Sequence, residues 1–393
     1  MEKEQQCPLY KKCGGCQIQN LTYEKQLEFK MKKVVKLLGK FRFVDKIIGM
    51  DNPYHYRNKV QAAFGRNNKG QIVSGVYQSS THRIVPVDSC LIEDEKADEI
   101  IVTIRKLLKS FKLKPFDDNK MVGFLRHVLI KRGFSSGEIM VVLVTGTEEF
   151  KSRRSFINAL LGRHPEITTI VQNINNRRTS LVLGEKSIVL YGDGIIKEQL
   201  CGYTFTISPK AFYQINPVQT EVLYGKAMEF ADIKSTDIVI DAYCGTGTIG
   251  IIASKYAKHV YGVELNRDAV KDARKNAKLN DIKNIDFVCA DAGKYMVSLA
   301  EDNLKADVVI MDPPRTGSDV NFLKSVVKLS PKKVVYISCN PETLARDLMF
   351  LSMNKYKVRK IQPVDMFPHT EHIECVVLLC LKETSKTLKN KGK

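Results

Sequence analysis

From about residue 206 onward the chain alternates short apolar runs with amphipathic stretches. TDIVIDAYCGTGTIG (236–250) passes from an apolar strand through a glycine-rich turn into a helix. KHVYGVEL, IDFVCADA, ADVVIMDPP and KKVVYISCNP continue the alternation, and ECVVLLCL follows near the end. This pattern predicts a doubly wound, mainly parallel sheet. Residues 54–205 have a different texture. EIMVVLVTG and KSIVLYGDG are strand-then-turn segments with one or two helices among them, an α+β pattern without a catalytic motif of its own. Ahead of these, YEKQLEFKMKKVVKLLG puts Leu27, Met31, Val34, Val35 and Leu38 at helical spacing. That stripe suits a core, and the lysines between its members are then either solvated or in contact with phosphate. The organisation expected is α/β: an N-terminal segment and helix over 1–50, a central α+β domain over 51–205, a Rossmann-like domain over 206–384 and a basic tail over 385–393.

A chain of 393 residues is too long for one ordinary core, which agrees with two or three domains. Its 44% hydrophobic and 27% charged residues are those of a soluble globular protein. No apolar run reaches the roughly 18 residues of a membrane helix, and the opening MEKEQQ lacks the basic and apolar regions of a signal peptide. The expectation is a cytoplasmic monomer with no membrane partner and no paired disulfides. A net charge of +19 changes the picture more. An excess of cations spread along the whole chain points to a polyanionic partner, nucleic acid before membrane.

Candidate chemistry gathers at the ends of the apolar runs. Gly245, Gly247 and Gly250 form G-x-G-x-x-G after a strand, and Glu264 closes the next one. Such glycines allow a tight turn with close backbone approach, and the acid can hold a ribose hydroxyl pair. The loop alone fits a nicotinamide cofactor nearly as well as S-adenosylmethionine. The fourth run ends in MDPPR, and its Asp312-Pro-Pro is similar to the segment that methyltransferases place near methyl donor and target base. Arg315 stands where amino-methylating enzymes carry a stacking aromatic, which turns attention to another atom of the base. Cys339 ends the fifth run, next to a helix start with Asn340 as N-cap, Pro341 at the first position and Glu342 in the first turn. A thiol there is expected to favour the reactive thiolate. In FPHTEHIEC, Glu374 is the candidate base; His369, Glu371 and His372 are not read as a metal site.

Five stretches in one order, FYQINPVQ, DAYCGTGTIG, MDPPR, SCNPETLARD and FPHTEHIECV, resemble the S-adenosylmethionine-dependent RNA uracil-C5 methyltransferases over the C-terminal 180 or so residues. The resemblance implies a class I methyltransferase fold, Cys339 as nucleophile toward uracil C6 and Glu374 as the base that removes the C5 proton. It also implies donor contacts from Gln214, Tyr243, Gly245, Gly247, Thr248, Glu264 and Asp312, with Asp291 beside the adenine; at Thr248 several members have Asn. Phe212 becomes a candidate stacking partner for a flipped base. YRNKVQAAFG (56–65) resembles a family segment near bound RNA.

The N-terminus carries Cys7, Cys13 and Cys16 in CPLYKKCGGC, and Cys90 follows in VPVDSCLIED. Four thiols with one close pair suit zinc or an iron–sulfur cluster. The same CPxYxxCGGCQ signature with a distant fourth cysteine resembles the bacterial ribosomal-RNA branch of the family, which implies a [4Fe–4S] cluster on Cys7, Cys13, Cys16 and Cys90, and 23S rRNA as partner. Many members begin with a small β-barrel domain for which residues 1–6 leave no room. The rival readings are the same chemistry on a tRNA T-loop, methylation at cytosine C5, a non-catalytic RNA-binding assembly factor and a nicotinamide oxidoreductase.

Overall fold

A computed structural model describes residues 6–78, 81, 83–302 and 305–383; the tail expected at 385–393 lies outside them. In chain order the strands are β1 (Lys59–Arg66), β2 (Ile72–Tyr77), β3 (Ile84–Pro86), β4 (Leu125–Arg132), β5 (Ile139–Thr145), β6 (Ile167–Ile174), β7 (Lys186–Tyr191), β8 (Ile196–Leu200) and β9 (Tyr203–Ile207). They continue with β10 (Ile238–Ala242), β11 (His259–Glu264), β12 (Ile285–Cys289), β13 (Val308–Met311), β14 (Lys333–Ser338), β15 (Tyr356–Val364) and β16 (Glu374–Leu381). The first seven form one mixed sheet in the order β3-β2-β1-β4-β5-β6-β7, in which β5 and β6 are parallel. β8 and β9 make a separate two-stranded ribbon.

The second large sheet runs β12-β11-β10-β13-β14-β16-β15. Its first five strands are mutually parallel and joined by crossover helices, while β16 lies antiparallel to both β14 and β15. The sequence order reverses at β10, where β11 leaves on one side and β13 on the other. Crevices at such a reversal, outside the carboxyl ends of parallel strands, are where open α/β sheets bind ligands. The near-continuous apolar runs of the sequence follow from burial on both faces: Val308, Val309, Ile310 and Met311 are all buried, the odd and even members in two different clusters.

The N-terminal helix Tyr23–Leu38 lies on this second sheet, where Val34 and Leu38 join the cluster containing Tyr336, Leu348 and Val377. Its buried line is Gln26, Lys30, Val34 and Leu38, with Leu27 and Met31 half-buried and Val35 exposed. The apolar stripe expected from the sequence is therefore rotated, and two polar side chains point inward. Their partners explain why. Lys30 Nζ reaches Asp365 Oδ1 at 2.6 Å and the Phe367 carbonyl at 2.9 Å, both charges fully shielded from solvent. Gln26 Oε1 accepts from the His369 amide at 2.9 Å, and Tyr23 donates to Asp365 Oδ2 at 3.0 Å. The helix clamps residues 365–369, the segment that leads into β16.

Removing one member of a buried pair strands the other charge in a medium that cannot solvate it. Lys30→Met should lower unfolding stability by about 3–5 kcal/mol in urea titrations, and Lys30→Met with Asp365→Asn should recover most of the loss. Equal destabilisation by the single and double variants would show that the pair is not the cause.

Candidate active site

The carboxyl edge of the second sheet receives one functional side chain from nearly every strand. β10 ends at Ala242 and hands on Tyr243; β11 ends in Glu264; Asp291 follows β12; Asp312 follows β13; Cys339 follows β14. The antiparallel strand supplies the last group. Because β16 runs the other way, its start rather than its end lies at this edge, and the register pairs Ser338 with Cys375. One residue further out, Cys339 stands across from Glu374. These side chains line a cleft of about 800 Å³ together with Gln214, Gly245 and Thr248.

The glycine loop is organised from below. Gly250 donates its amide to Asp241 Oδ2 at 2.7 Å, and a Cβ at Gly250 would come within 2.9 Å of that oxygen. Burial pushes the Asp241 carboxyl up to about 8, so it keeps its proton at neutral pH. Gly247 has φ +83°, and a Cβ there would meet the Phe287 ring at 2.6 Å. It does not line the cleft: of the glycines assigned to the cofactor, Gly245 faces the cavity and Gly247 serves the packing beneath. Glu264 accepts from the Gly245 amide at 3.1 Å through one oxygen and from the Asn266 amide at 2.8 Å through the other. Its carboxylate thus joins two loops at the cleft wall. Asp291 caps the helix Ala292–Glu301 through Lys294 N at 2.9 Å and stays exposed at the rim. Tyr243 holds φ +64°, costly for a residue with a side chain, and packs at a tilt against Phe322 with ring centroids 4.9 Å apart.

On the reacting side, Asn340 caps the helix Pro341–Met353, accepting from Glu342 N at 3.0 Å as the sequence suggested. Its amide group also donates to the Arg315 carbonyl at 3.2 Å, and Thr343 donates to the same oxygen at 3.2 Å. The loop after β13 is thereby fixed beside Cys339. The thiol does not rest as thiolate. Burial, then Glu374 and Asp312, push it up to about 11, against the opposing pull of Arg315. A residue lying before the N-cap gains little from the helix end, and desolvation plus two carboxyls outweigh it. Glu374 is buried, with Oε2 unpaired among the described residues, and burial followed by Asp312 raises it well above the carboxylate range. Asp312 is raised by burial.

One cleft residue escaped the sequence reading. Tyr224, buried on the helix Pro217–Ala231, lies within hydrogen-bond reach of Thr248 and Gln214 and close to Asp312. Its only signal was its place in the same segment as FYQINPVQ. Phe212 is 66% exposed at the cleft mouth, with Lys59 Nζ 6.0 Å from its ring centre. His369 Nδ1 lies 3.2 Å from Gln26 Nε2. Among the described residues no group of three or more His, Cys, Asp and Glu side chains is arranged to hold a metal ion. The N-terminal cysteines still share one neighbourhood. Cys7, Cys13 and Cys16 are close enough for each charge to oppose the next, and Cys16 and Cys90 pack on the same cluster of Met50, Tyr56 and Ile92. The Leu9 amide donates to Cys7 Sγ at 3.4 Å.

A class I fold with a glycine loop after its first strand, an acid closing the second and a cysteine after the fifth is the arrangement of a methyltransferase. The profile of the tRNA (uracil-5-)-methyltransferase family matches residues 22–382, and the chain belongs to that family. It is 43% identical to an uncharacterised RNA methyltransferase of Clostridium tetani, over 96% of this chain and 82% of that one. A second uncharacterised RNA methyltransferase, from Oceanobacillus iheyensis, is 43% identical over 94% and 82%. The crystal structure of Pyrococcus abyssi tRNA (uracil-54, C5)-methyltransferase with S-adenosyl-L-homocysteine superimposes with a TM-score of 0.78 at 29% identity, covering 96% of this chain and 87% of that one. The protein is an S-adenosylmethionine-dependent RNA methyltransferase of the uracil-C5 family. No helix among the described residues is long and apolar enough to cross a membrane.

The electrostatics of the thiol give a direct check. Alkylation of Cys339 by iodoacetamide in the free protein should rise with a midpoint near 11, above the 9.0 of an ordinary thiol. Glu374→Gln removes a negative neighbour and should lower that midpoint by about one unit; Arg315→Ala removes a positive one and should raise it. Midpoints unmoved by both substitutions, followed by mass spectrometry of the modified peptide, would exclude this account.

Proposed function

We propose that the protein methylates C5 of a uridine in 23S rRNA, with Cys339 as nucleophile and Glu374 as base. The observation that carries the chemistry is the pairing of β14 with antiparallel β16, which sets a thiol and a buried carboxyl across from one another at the cofactor edge. Cys339 adds to C6 as thiolate, its proton leaving to solvent or a neighbouring carboxylate, and the C5–C6 pair of electrons makes C5 nucleophilic. S-adenosylmethionine, when bound, supplies an electrophilic methyl on a sulfonium. Glu374 in its ionised form then takes the C5 proton; those electrons restore the double bond and Cys339 departs as thiolate. Asp312, Tyr224, Gln214 and Thr248 hold the donor end of the cleft, Glu264 and Asp291 the ribose and adenine end. Phe212 at the mouth stacks on a base turned out of the RNA. The protein acts as a cytoplasmic monomer.

The rRNA assignment rests on the cysteine signature. Cys7, Cys13, Cys16 and Cys90 share one neighbourhood without being arranged as a metal site there, and four thiols are the donors that a [4Fe–4S] cluster takes. A second reading, the same chemistry on tRNA, is favoured by the substrate named for the Pyrococcus abyssi neighbour. Tritium release from transcripts made with 5-tritiated uridine separates the two. Donor-dependent release from 23S rRNA and not from tRNA, abolished in Cys339→Ala, is the expected result. Release from tRNA alone would assign the second reading, and release from neither would remove the C5 chemistry. Protein purified without oxygen should contain iron and acid-labile sulfide, both lost in Cys16→Ser. Iron-free wild-type protein would remove the cluster.

A further inference from the structure

The loop after β13 is gripped along its length by one face of the helix Pro341–Met353. Its cap Asn340, then Thr343, Arg346 and Asp347, recur three or four residues apart and so share that face. The Arg315 carbonyl takes the bonds of the first two. Arg346 donates through one terminal nitrogen to the carbonyls of Thr316 and Ser318, each at 3.0 Å. The Ser318 amide donates to Asp347 Oδ2 at 2.8 Å. Between them Gly317 holds φ +74°, and a Cβ there would come within 2.6 Å of the same Arg346 nitrogen and 2.7 Å of Asp347 Oδ2. The turn lies directly on the ion pair, and a side chain at its centre would not fit.

Asp347 is the centre of this contact. Its side chain is fully shielded from solvent, whereas that of Arg346 is 57% exposed. Arg346 reaches Asp347 Oδ1 through Nε and Nη2, each at 2.8 Å, and Tyr336 donates to Oδ2 at 2.7 Å. Tyr336 lies on β14, the strand that runs into Cys339. One carboxylate thus joins the strand that ends at the thiol to the loop that carries Arg315. Burying that charge costs energy that an apolar contact would not. What it adds is direction, because hydrogen bonds fix the place of a backbone that apolar contacts would let slide. Arg315 depends on such fixing. It is exposed, so packing does not set its place, yet it lines the cleft and its charge acts on both Cys339 and Glu374.

We propose that Asp347, acting through Arg346 and residues 316–318, is a positioning residue for the reaction, which holds Arg315 where its charge meets Cys339 and Glu374. The helix Pro341–Met353 then sets both partners at once: its start follows the thiol, and its side face fixes the loop of the cation. The inference rests on the proposed roles of Cys339 and Glu374 and assigns what keeps their counter-charge in place.

The test is the rate of iodoacetamide alkylation of Cys339 in the full chain across a pH series, read on the Cys339 peptide by mass spectrometry. The charges that face the thiol are Glu374 from β16, and Asp312 and Arg315 from the loop after β13. Asp347→Asn should slow alkylation below the midpoint about three- to ten-fold, moving the profile upward as Arg315→Ala does. The sign is informative, because removal of a negative charge acting directly on the thiol could only speed the reaction. Arg346→Ala should act in the same direction. In an Arg315→Ala background neither substitution should slow alkylation further. Profiles unmoved or lowered in folded variants, or a slowing that persists without Arg315, would overturn the role. So would an Arg315→Ala profile identical to that of wild type. Cooperative thermal unfolding identifies the folded variants, and if Asp347→Asn does not fold, Arg346→Ala decides. No outcome depends on turnover. Wild type that releases no tritium loses the C5 reaction and keeps Arg315 as a positioned charge, whereas tritium release with unmoved alkylation profiles keeps the reaction and removes the role of Asp347.

Discussion

One reversed strand organises the site. Five parallel strands deliver side chains to the carboxyl edge of the sheet, and by themselves they bring acids, a tyrosine and a thiol there. A carboxyl fixed opposite the thiol needs a chain arriving from the far side, and β16 provides it by pairing antiparallel with β14 in the register Ser338–Cys375. A one-residue slip would send Glu374 to the other face of the sheet and Cys375, now buried, toward the cleft. The register is therefore a chemical constraint as well as a packing one. Much of the rest can be understood as defending it. The segment before β16 is tied by Lys30 and Gln26 from one side. Asn216 and Gln219 hold it from another, donating to the carbonyls of Met366 and Asp365 at 3.0 and 2.9 Å. Tyr56 of the central domain donates to the Pro368 carbonyl at 3.0 Å.

These ties run between parts that the sequence suggested treating apart. The helix after the cysteine segment packs on the methyltransferase sheet, Tyr56 links the cysteine neighbourhood to the approach to Glu374, and Asn58 bonds the backbone at Gln214 and Ile215. Substrate-facing and cofactor-facing elements are thus built on shared hydrogen bonds, and the loop carrying Phe212 and Gln214 lies where they meet.

What the sequence disclosed and what it hid differ in range. The places of these residues at strand ends were legible because each motif is local: a glycine turn after β10, an acid closing β11, Asp-Pro-Pro after β13, a capped helix after Cys339. The inward turn of Lys30 was not, since its partner stands 335 residues away and a lysine in an amphipathic stripe reads as surface. Gly245 and Gly247 look equivalent in the motif, yet only the close approach of Phe287 tells that the second is a packing glycine. Tyr224 belongs to no motif in the sequence, and its place in the cleft shows only when Thr248 and Gln214 are brought to it.

The ionisation of Cys339 is the most instructive of these differences. A helix start beside a cysteine predicts a thiolate, but the site encloses three acids, Asp312, Cys339 and Glu374, with Arg315 as the cation acting on Cys339 and Glu374. Charging all three in a partly dehydrated cleft would place three negative charges against one positive, and each ionisation makes the next more costly. The protein therefore holds the protons in place. Any positive charge brought into the cleft beside Asp312 acts in the opposite sense on all three groups at once, because the same short distances that make the acids repel make them respond together. A thiol governed in this way is harder to ionise the more negative charge stands beside it and easier as positive charge is brought near. The arrangement that raises the cost of ionising Cys339 is thus one of shared charge and not of the thiol alone.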